Sequence, residues 1–290
     1  MSHQGASCAA VTNASLAPRR TREYDYPAKE FYLGEVMVNS SGMGKPENRI
    51  SDLCDLVREP DDRLFVTAYN SVLKPAFQAD ELEPLDVIRD QIIDGSVLQM
   101  LVALDESHVP VGVITADWYS RGGVALIGYL AIREDLRGQG LGTTITRQAT
   151  ERWAAELQPA LSVAEVEDPR YFQASSFGDP NARLRLYERL GGRIIGLPYF
   201  QPRLTPESNR VYHLMLMAFT VGASPAAEIS SAQVPTDPLV KFLEDYFGVT
   251  EGAEALTDPE FLALKAAYQR EPTAALLRAT ELDQIPELDY

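Results

Sequence analysis

The 290-residue sequence predicts an α+β fold, a mixed and mostly antiparallel central sheet flanked by helices in an αβα layering. Three observations carry this. Apolar, β-rich runs at 97–104, 111–119 and Val124–Ile132 are joined only by the turn signals Asp105-Glu106-Ser107 and Arg121-Gly122-Gly123, which is the pattern of an antiparallel meander. Helical periodicity follows at Ile145, Ala149, Trp153 and Leu157, spaced by four. Between strand and helix lies Arg137-Gly138-Gln139-Gly140-Leu141-Gly142, a glycine-rich turn.

Taken in order, residues 1–25 are small and polar without periodicity and read as a disordered tail. Residues 30–38 suit a strand, Ser40–Gly44 a loop and 50–57 a short helix. Leu64-Phe65-Val66-Thr67-Ala68-Tyr69 reads as a strand, and 71–77 leads from it into a helical region. Pro84 fits the first turn of a helix running to Ile93, with Leu85, Ile88, Ile92 and Ile93 on its inner side and Gly95 ending it. After the meander a helix opens at Thr143, and 161–166 is a further strand. Asp179-Pro180 is a helix start, with Asp as N-cap and Pro at the first helical position, and Gly191-Gly192 ends that helix. Strands at 193–196 and Val211–Val221 follow, joined by a loop over 197–210. The expected organisation is a tail at 1–25, a main domain at 26–222 with its core at 63–222, a linker at 223–238 and an acidic helical C-terminal appendage at 239–290, with helices at 239–247, 260–268 and 273–280.

Composition narrows the function. The net charge of −16 opposes nucleic-acid or anionic-membrane binding, although Arg183, Arg185, Arg189 and Arg193 form a local basic stretch. Residues 225–290 hold 13 acidic and 4 basic side chains, a net of −9, so over half of the excess lies there. No apolar run approaches the roughly 20 residues of a membrane span, and the N-terminus lacks a basic segment followed by an apolar one, so a cytoplasmic protein is expected. Two cysteines and three scattered histidines offer neither a disulfide framework nor a metal site, and no metal is expected.

Strand, glycine turn and helix in sequence make a phosphate cradle, because glycines admit close backbone approach and a helix N-terminus supplies N–H donors and a positive dipole. A P-loop is excluded, since no lysine occurs between Lys74 and Lys241. A dinucleotide fingerprint fits poorly: the spacing is Gly138-x-Gly140-x-Gly142 after a meander, although Glu165 and Glu167 lie near the ribose-acid distance.

Arg137-x-x-Gly140-x-Gly142, following a buried strand and opening a helix, resembles the acyl-CoA loop of the GNAT superfamily of N-acetyltransferases. Leu186-Tyr187-Glu188-Arg189-Leu190-Gly191, about 45 residues on, is similar to that superfamily's helix with a tyrosine shortly before a glycine. The resemblance extends in element order over about 64–221. It implies an N-acyltransferase that moves an acetyl or other short acyl group from acyl-CoA to a primary amine of a small molecule or protein. In that reading the backbone of Gly138, Gln139, Gly140, Leu141, Gly142 and Thr143 holds the pyrophosphate and Arg137 adds charge. The strand residues Leu130, Ala131 and Ile132 splay from 163–165, bind the pantetheine arm and polarise the thioester carbonyl. One departure concerns the asparagine seven residues before the tyrosine: Pro180 stands there, with Asn181 displaced by one, while Arg183 offers a cation near the cofactor.

Direct attack by an amine needs a base for the nucleophile and an acid for the departing thiolate. Tyr187 is the candidate acid. Glu165 and Glu167, alternating onto one strand face, are the candidate base, with Glu134 and Asp117 as competitors. Tyr69, Phe77, Tyr199 and Phe200 are candidate walls for the acceptor. Two alternatives stay open: a carrier-protein thioester or aminoacyl-tRNA donor docking on the arginines of 183–193, and a non-catalytic acyl-CoA sensor that recruits a partner through its acidic tail. That tail could also serve a homodimer.

Overall fold

The computed structural model describes residues 50–77, 82–94, 98–174, 179–204 and 208–288. The expectations for the tail at 1–25, the strand at 30–38, the loop at 40–44 and the stop at Gly95 lie outside these residues.

The first element of the described residues is β1 (Asp52–Asp55), paired antiparallel to β2 (Leu98–Leu104), where the sequence suggests a helix. Asp55 closes that strand, its Oδ1 accepting from the N–H of Val57 and Arg58. The stretch read as a strand at 64–69 is helix α1 (Asp62–Ala68), continued by a π-helical turn at Tyr69–Leu73. Asp61 caps it, its Oδ1 accepting from Arg63 N at 2.9 Å and Leu64 N at 3.0 Å. Phe65, Ala68, Tyr69 and Val72 then fall on one buried face at helical spacing. Helix α2 (Leu85–Asp94) lies where expected after Pro84, but Ile93 is 71% exposed and only Ile88 and Ile92 are buried in it.

The meander is as read: β2, β3 (Pro110–Tyr119) and β4 (Val124–Ile132) pair antiparallel in order. Helix α3 (Leu141–Glu156) starts two residues earlier than expected and crosses to β5 (Leu161–Glu167), which pairs parallel to β4. Helix α4 (Pro180–Arg189) is capped by Asp179 and leads to β6 (Arg193–Ile195). The expected loop at 197–210 contains β7 (Tyr199–Gln201), which pairs with β8 (Val211–Val221).

The stretch at 223–238 is not bare connection: it carries β9 (Ser224–Pro225), paired with β8, and β10 (Gln233–Pro235). Helices α5 (Asp237–Thr250) and α6 (Pro259–Gln269) follow. The third expected helix, at 273–280, is strand β11 (Thr273–Leu277), inserted between β6 and β10. The open edge of β6 overrides the helix propensity of Ala274, Ala275, Leu276 and Leu277. The sheet order is β1-β2-β3-β4-β5-β8-β6-β11-β10, with β7 and β9 also on β8.

Alternation along the strands sorts the core. Leu101, Ala103, Ala125, Ile127 and Ala164 meet Ile145, Ala149, Trp153 and Leu184 of α3 and α4 on one face. On the opposite face Met100, Val102 and Val113 lie under α1 and α2. Beside them Val124, Leu126, Leu161, Val163 and Leu216 lie under α5 and α6. The C-terminal helices thus cover half of one sheet face with Leu239, Phe242, Leu243, Phe247, Phe261, Leu264 and Tyr268, all fully buried.

Phe242 sits at the centre of that layer, its ring 5.1 Å from Tyr119 and 5.5 Å from Tyr246. Phe242→Ala is expected to cost about 3–5 kcal/mol in urea unfolding. A chain ending at Gly222 is expected to lose cooperative unfolding, since it exposes the apolar face of β4, β5 and β8.

Candidate functional site

The site starts from a backbone irregularity. Between the pairs Ile114↔Leu130 and Ala116↔Ile127, β3 supplies one residue, Thr115, and β4 supplies two, Gly128 and Tyr129. This is a β-bulge, and bulges bend the strand that carries them. Thr115 Oγ1 accepts from Tyr129 N at 2.9 Å, so the displaced N–H is satisfied. β4 and β5 pair from Val124↔Leu161 to Ile127↔Ala164 and no further, whereas β5 stays on β8 as far as Glu167↔Leu214. Beyond the bulge the two strands part. One lip of the cleft is 128–132 of β4 and the other is 165–167 of β5. Gly128 is exposed in the middle of the sheet, and Tyr129, Leu130 and Ile132 are only partly buried.

The glycine turn lies at the end of the β4 lip. Gly138 and Gly140 have φ of +76° and +86°, a region that favours glycine, and a Cβ on either would meet nothing within 4 Å. Gly140 takes the N-cap position of α3 without a side-chain cap, and the first bond inside the helix is Thr144 N to Gly140 O at 3.1 Å. The N–H groups of Leu141, Gly142 and Thr143 therefore precede the helical ladder and point out of its N-terminus. Gly142 packs beside Ile132, where a Cβ would stand 3.7 Å from Ile132 Cγ1. Arg137 is exposed and donates from Nε to Ile132 O at 3.2 Å, and Gln139 Nε2 donates to Asp135 O at 3.3 Å. Ser71, Val72, Pro75, Arg133, Glu134, Asp135 and Arg137 line a cavity of about 490 Å³ beside this turn. Open N–H donors, positive dipole and a nearby guanidinium fit a pyrophosphate.

Helix α4 packs on the β5 side. Tyr187 is half-buried, with its ring 5.7 Å from Phe219 in an edge-on contact. Burial raises its phenol pKa, and the nearby Arg183 guanidinium pulls it back down. Asn181 is exposed at the start of the helix, and its backbone N–H donates to Asp179 Oδ1.

The two glutamates part company. Glu167 pairs with Arg183, Oε2 to Nη1 at 3.0 Å, so the Arg183 cation expected beside the cofactor is shared with a carboxylate. Glu165 turns the other way. Its Oε1 accepts from Tyr199 OH at 2.5 Å, and its Oε2 accepts from Gln201 Nε2 at 2.6 Å and Tyr246 OH at 3.5 Å. Burial pushes the Glu165 carboxyl up to about 7 against the pull of these three donors. Of the competing acids, Glu134 is exposed in the turn before Arg137, and Asp117 is half-buried on β3.

The expected acceptor walls divide between two helical layers. Tyr69 donates to Glu83 O at 3.0 Å, and Phe77 stacks edge-on to Tyr129 at 5.1 Å, on the α1–α2 side. Tyr199 lies against Glu165, while Phe200 is buried against Phe247 at 5.5 Å. Gln201 and Tyr246 were not singled out by the sequence: one lies in a segment read as loop, the other on the apolar stripe of α5. Among the described residues no cluster of three or more His, Cys, Asp or Glu side chains could hold a metal, and no helix is long and apolar enough to cross a membrane.

Residues 97–191 match the family model described as the acetyltransferase (GNAT) domain. Among solved structures, the chain is similar to a putative acetyltransferase of the GNAT family from Bacteroides thetaiotaomicron, with 18% identity, a TM-score of 0.46, and coverage of 58% of this chain and 85% of that one. It is also similar to the ribosomal-protein-S18-alanine N-acetyltransferase from Escherichia coli, with 16% identity, a TM-score of 0.41, and 61% and 97% coverage. A spermidine/spermine N-acetyltransferase from Vibrio cholerae gives 16% identity, a TM-score of 0.41, and 58% and 90% coverage. No curated protein matches the chain. The matched segment, about a third of the chain, holds the meander, the bulge, the glycine turn and the tyrosine helix, so this stretch is similar to a GNAT acetyltransferase domain.

Proposed function

We propose that the protein transfers an acetyl or other short acyl group from acyl-CoA to a primary amine by direct attack, on a small molecule or a protein. The observation that carries the reading is the cleft between β4 and β5, with a phosphate-ready glycine turn at one end and Glu165 on one lip. In this reading the N–H groups at the start of α3 and Arg137 hold the pyrophosphate. The freed β4 edge at Leu130, Ala131 and Ile132 pairs with the extended arm as a strand would. An N–H of that edge then polarises the thioester carbonyl.

Glu165 takes the proton from the attacking amine. A carboxyl titrating near 7 is half-charged at neutral pH, which suits a general base. Tyr187 donates to the leaving thiolate: its raised pKa keeps the phenol protonated at the working pH. Glu167, paired with Arg183, holds that guanidinium on the α4 side rather than acting as base.

The test is calorimetry with acetyl-CoA, followed by thiol release with benzylamine, 1,5-diaminopentane, glucosamine and a short peptide with a free N-terminus. Binding without turnover over the whole panel would overturn the catalytic reading in favour of an acyl-CoA sensor. Gly140→Val, which puts a branched side chain at positive φ, is expected to weaken acetyl-CoA binding at least about tenfold, the loss of roughly one hydrogen bond to a charged group.

Glu165→Gln is expected to lower kcat/KM by about 10²-fold or more. The wild-type rate should rise as pH passes upward through about 7, because the base works only when deprotonated. Glu165→Gln should lose that limb and keep the one set by the amine itself. Tyr187→Phe is expected to lower kcat by about 10²-fold with acetyl-CoA affinity little changed, as read by thiol release and calorimetry.

A further inference from the structure

We propose that Tyr199 and Gln201 of β7, backed by Tyr246 of α5, are positioning residues that hold Glu165 on the lip of the cleft as a proton acceptor. The inference rests on the acyl-transfer reading for the role of Glu165. The geometry itself does not depend on that reading.

Each carboxylate oxygen of Glu165 takes one short bond, Oε1 from Tyr199 at 2.5 Å and Oε2 from Gln201 at 2.6 Å. Both donors come from one three-residue strand, two positions apart, and residues i and i+2 of a strand share a face. β7 is fixed on β8 by Tyr199↔Leu214 and Gln201↔Val211, and β8 also carries β5 through Glu165↔Leu216 and Glu167↔Leu214. One strand thus carries both the carboxylate and its donors, with a bulge in β8 between Val211 and Leu214. Tyr246 lies behind them, its hydroxyl 3.5 Å from Oε2 and its ring 5.6 Å from Tyr119.

The choice of donors matters. The groups facing Glu165 are Tyr199 and Gln201 from β7 and Tyr246 from α5. Beyond them stand Tyr268 of α6, facing Tyr199, and Asp117 with Tyr119 of β3, facing Tyr246. Among the described residues no lysine or arginine pairs with Glu165. A cation there would lower the carboxyl pKa by about 1–3 units and hold it charged. Neutral donors orient the carboxylate and only partly offset burial, which leaves it able to take a proton. All three donors lie outside residues 97–191, so the matched domain supplies the carboxylate and the C-terminal third of the chain supplies its cradle.

The test is a ¹³C NMR titration of the Glu165 carboxyl carbon in the full-length protein, the resonance being assigned by its loss in Glu165→Gln. Tyr199→Phe and Gln201→Leu each remove one donor to the charged form and are expected to raise the midpoint by about one pH unit, a tenfold change in proton binding. Gln201 is only half-buried, so its variant keeps the test open should Tyr199→Phe fail to fold. A midpoint in Gln201→Leu that stays put or falls overturns the proposal.

Acetyl-CoA thiol release with the same amines separates the two ideas. If Glu165→Gln abolishes the acid limb while Gln201→Leu moves neither limb nor midpoint, the base stands and the cradle falls. If the midpoint moves and the limb does not follow, Glu165 is not the base and the proposal falls with that reading.

Discussion

The bulge at Gly128-Tyr129 is the constraint on which the site depends. In an unbroken parallel pair, β4 and β5 would use their facing N–H and C=O groups on each other, and no cleft would exist. Two residues against Thr115 bend β4 away, and pairing with β5 stops at Ile127↔Ala164. Thr115 Oγ1 accepts the one N–H that the bulge displaces. The rest of the freed edge stays available in the interior of a sheet, where unpaired backbone groups call for a partner. In the proposed reading a strand-like ligand arm supplies one, and the helix that starts beside Ile132 supplies the phosphate end of the same track.

The C-terminal third answers a second constraint. Opening a sheet in its middle sacrifices cross-strand bonds, and the remaining strands need cover on both faces. Helices α5 and α6 bury an aromatic layer over β4, β5 and β8, while β10 and β11 extend the sheet past β6. Five of the thirteen acids of residues 225–290 pair with two arginines from outside that stretch. Arg210, only 9% exposed, meets Glu251, Asp258 and Glu260 at 2.7 Å, and Arg121 pairs with Glu244 and Asp245. Those five acids tie α5, the turn after it and the start of α6 to Arg121 of the β3–β4 turn and to Arg210 just before β8.

What the sequence made legible follows the same physics. The meander, the Asp179 cap, the glycine turn and the Tyr187 helix were readable because each is written in local residues whose chemistry allows few alternatives. Leu64–Tyr69 misled because Val66, Thr67 and the aromatics carry strand propensity. The deciding signals were the Asp61 cap and the spacing of Phe65, Ala68 and Val72. Residues 273–280 misled in the opposite sense, since an Ala-Leu run becomes a strand only when a sheet edge more than 70 residues earlier is there to receive it. Gln201 and Tyr246 were illegible for that reason too: nothing local marks them, and only tertiary contact brings them to Glu165.

The pair Glu165 and Glu167 shows where a correct local rule stops short. Strand periodicity puts both on one face of β5, and from sequence they are interchangeable as base. What separates them is the neighbour each one finds. Arg183, one turn before Tyr187 on α4, takes Glu167 in an ion pair at 3.0 Å. Tyr199 and Gln201 take Glu165 with neutral donors, and burial then lifts its carboxyl to about 7. Two identical side chains two residues apart thus meet opposite surroundings, one a guanidinium and the other neutral donors. The difference is set by α4 on one side and β7 on the other.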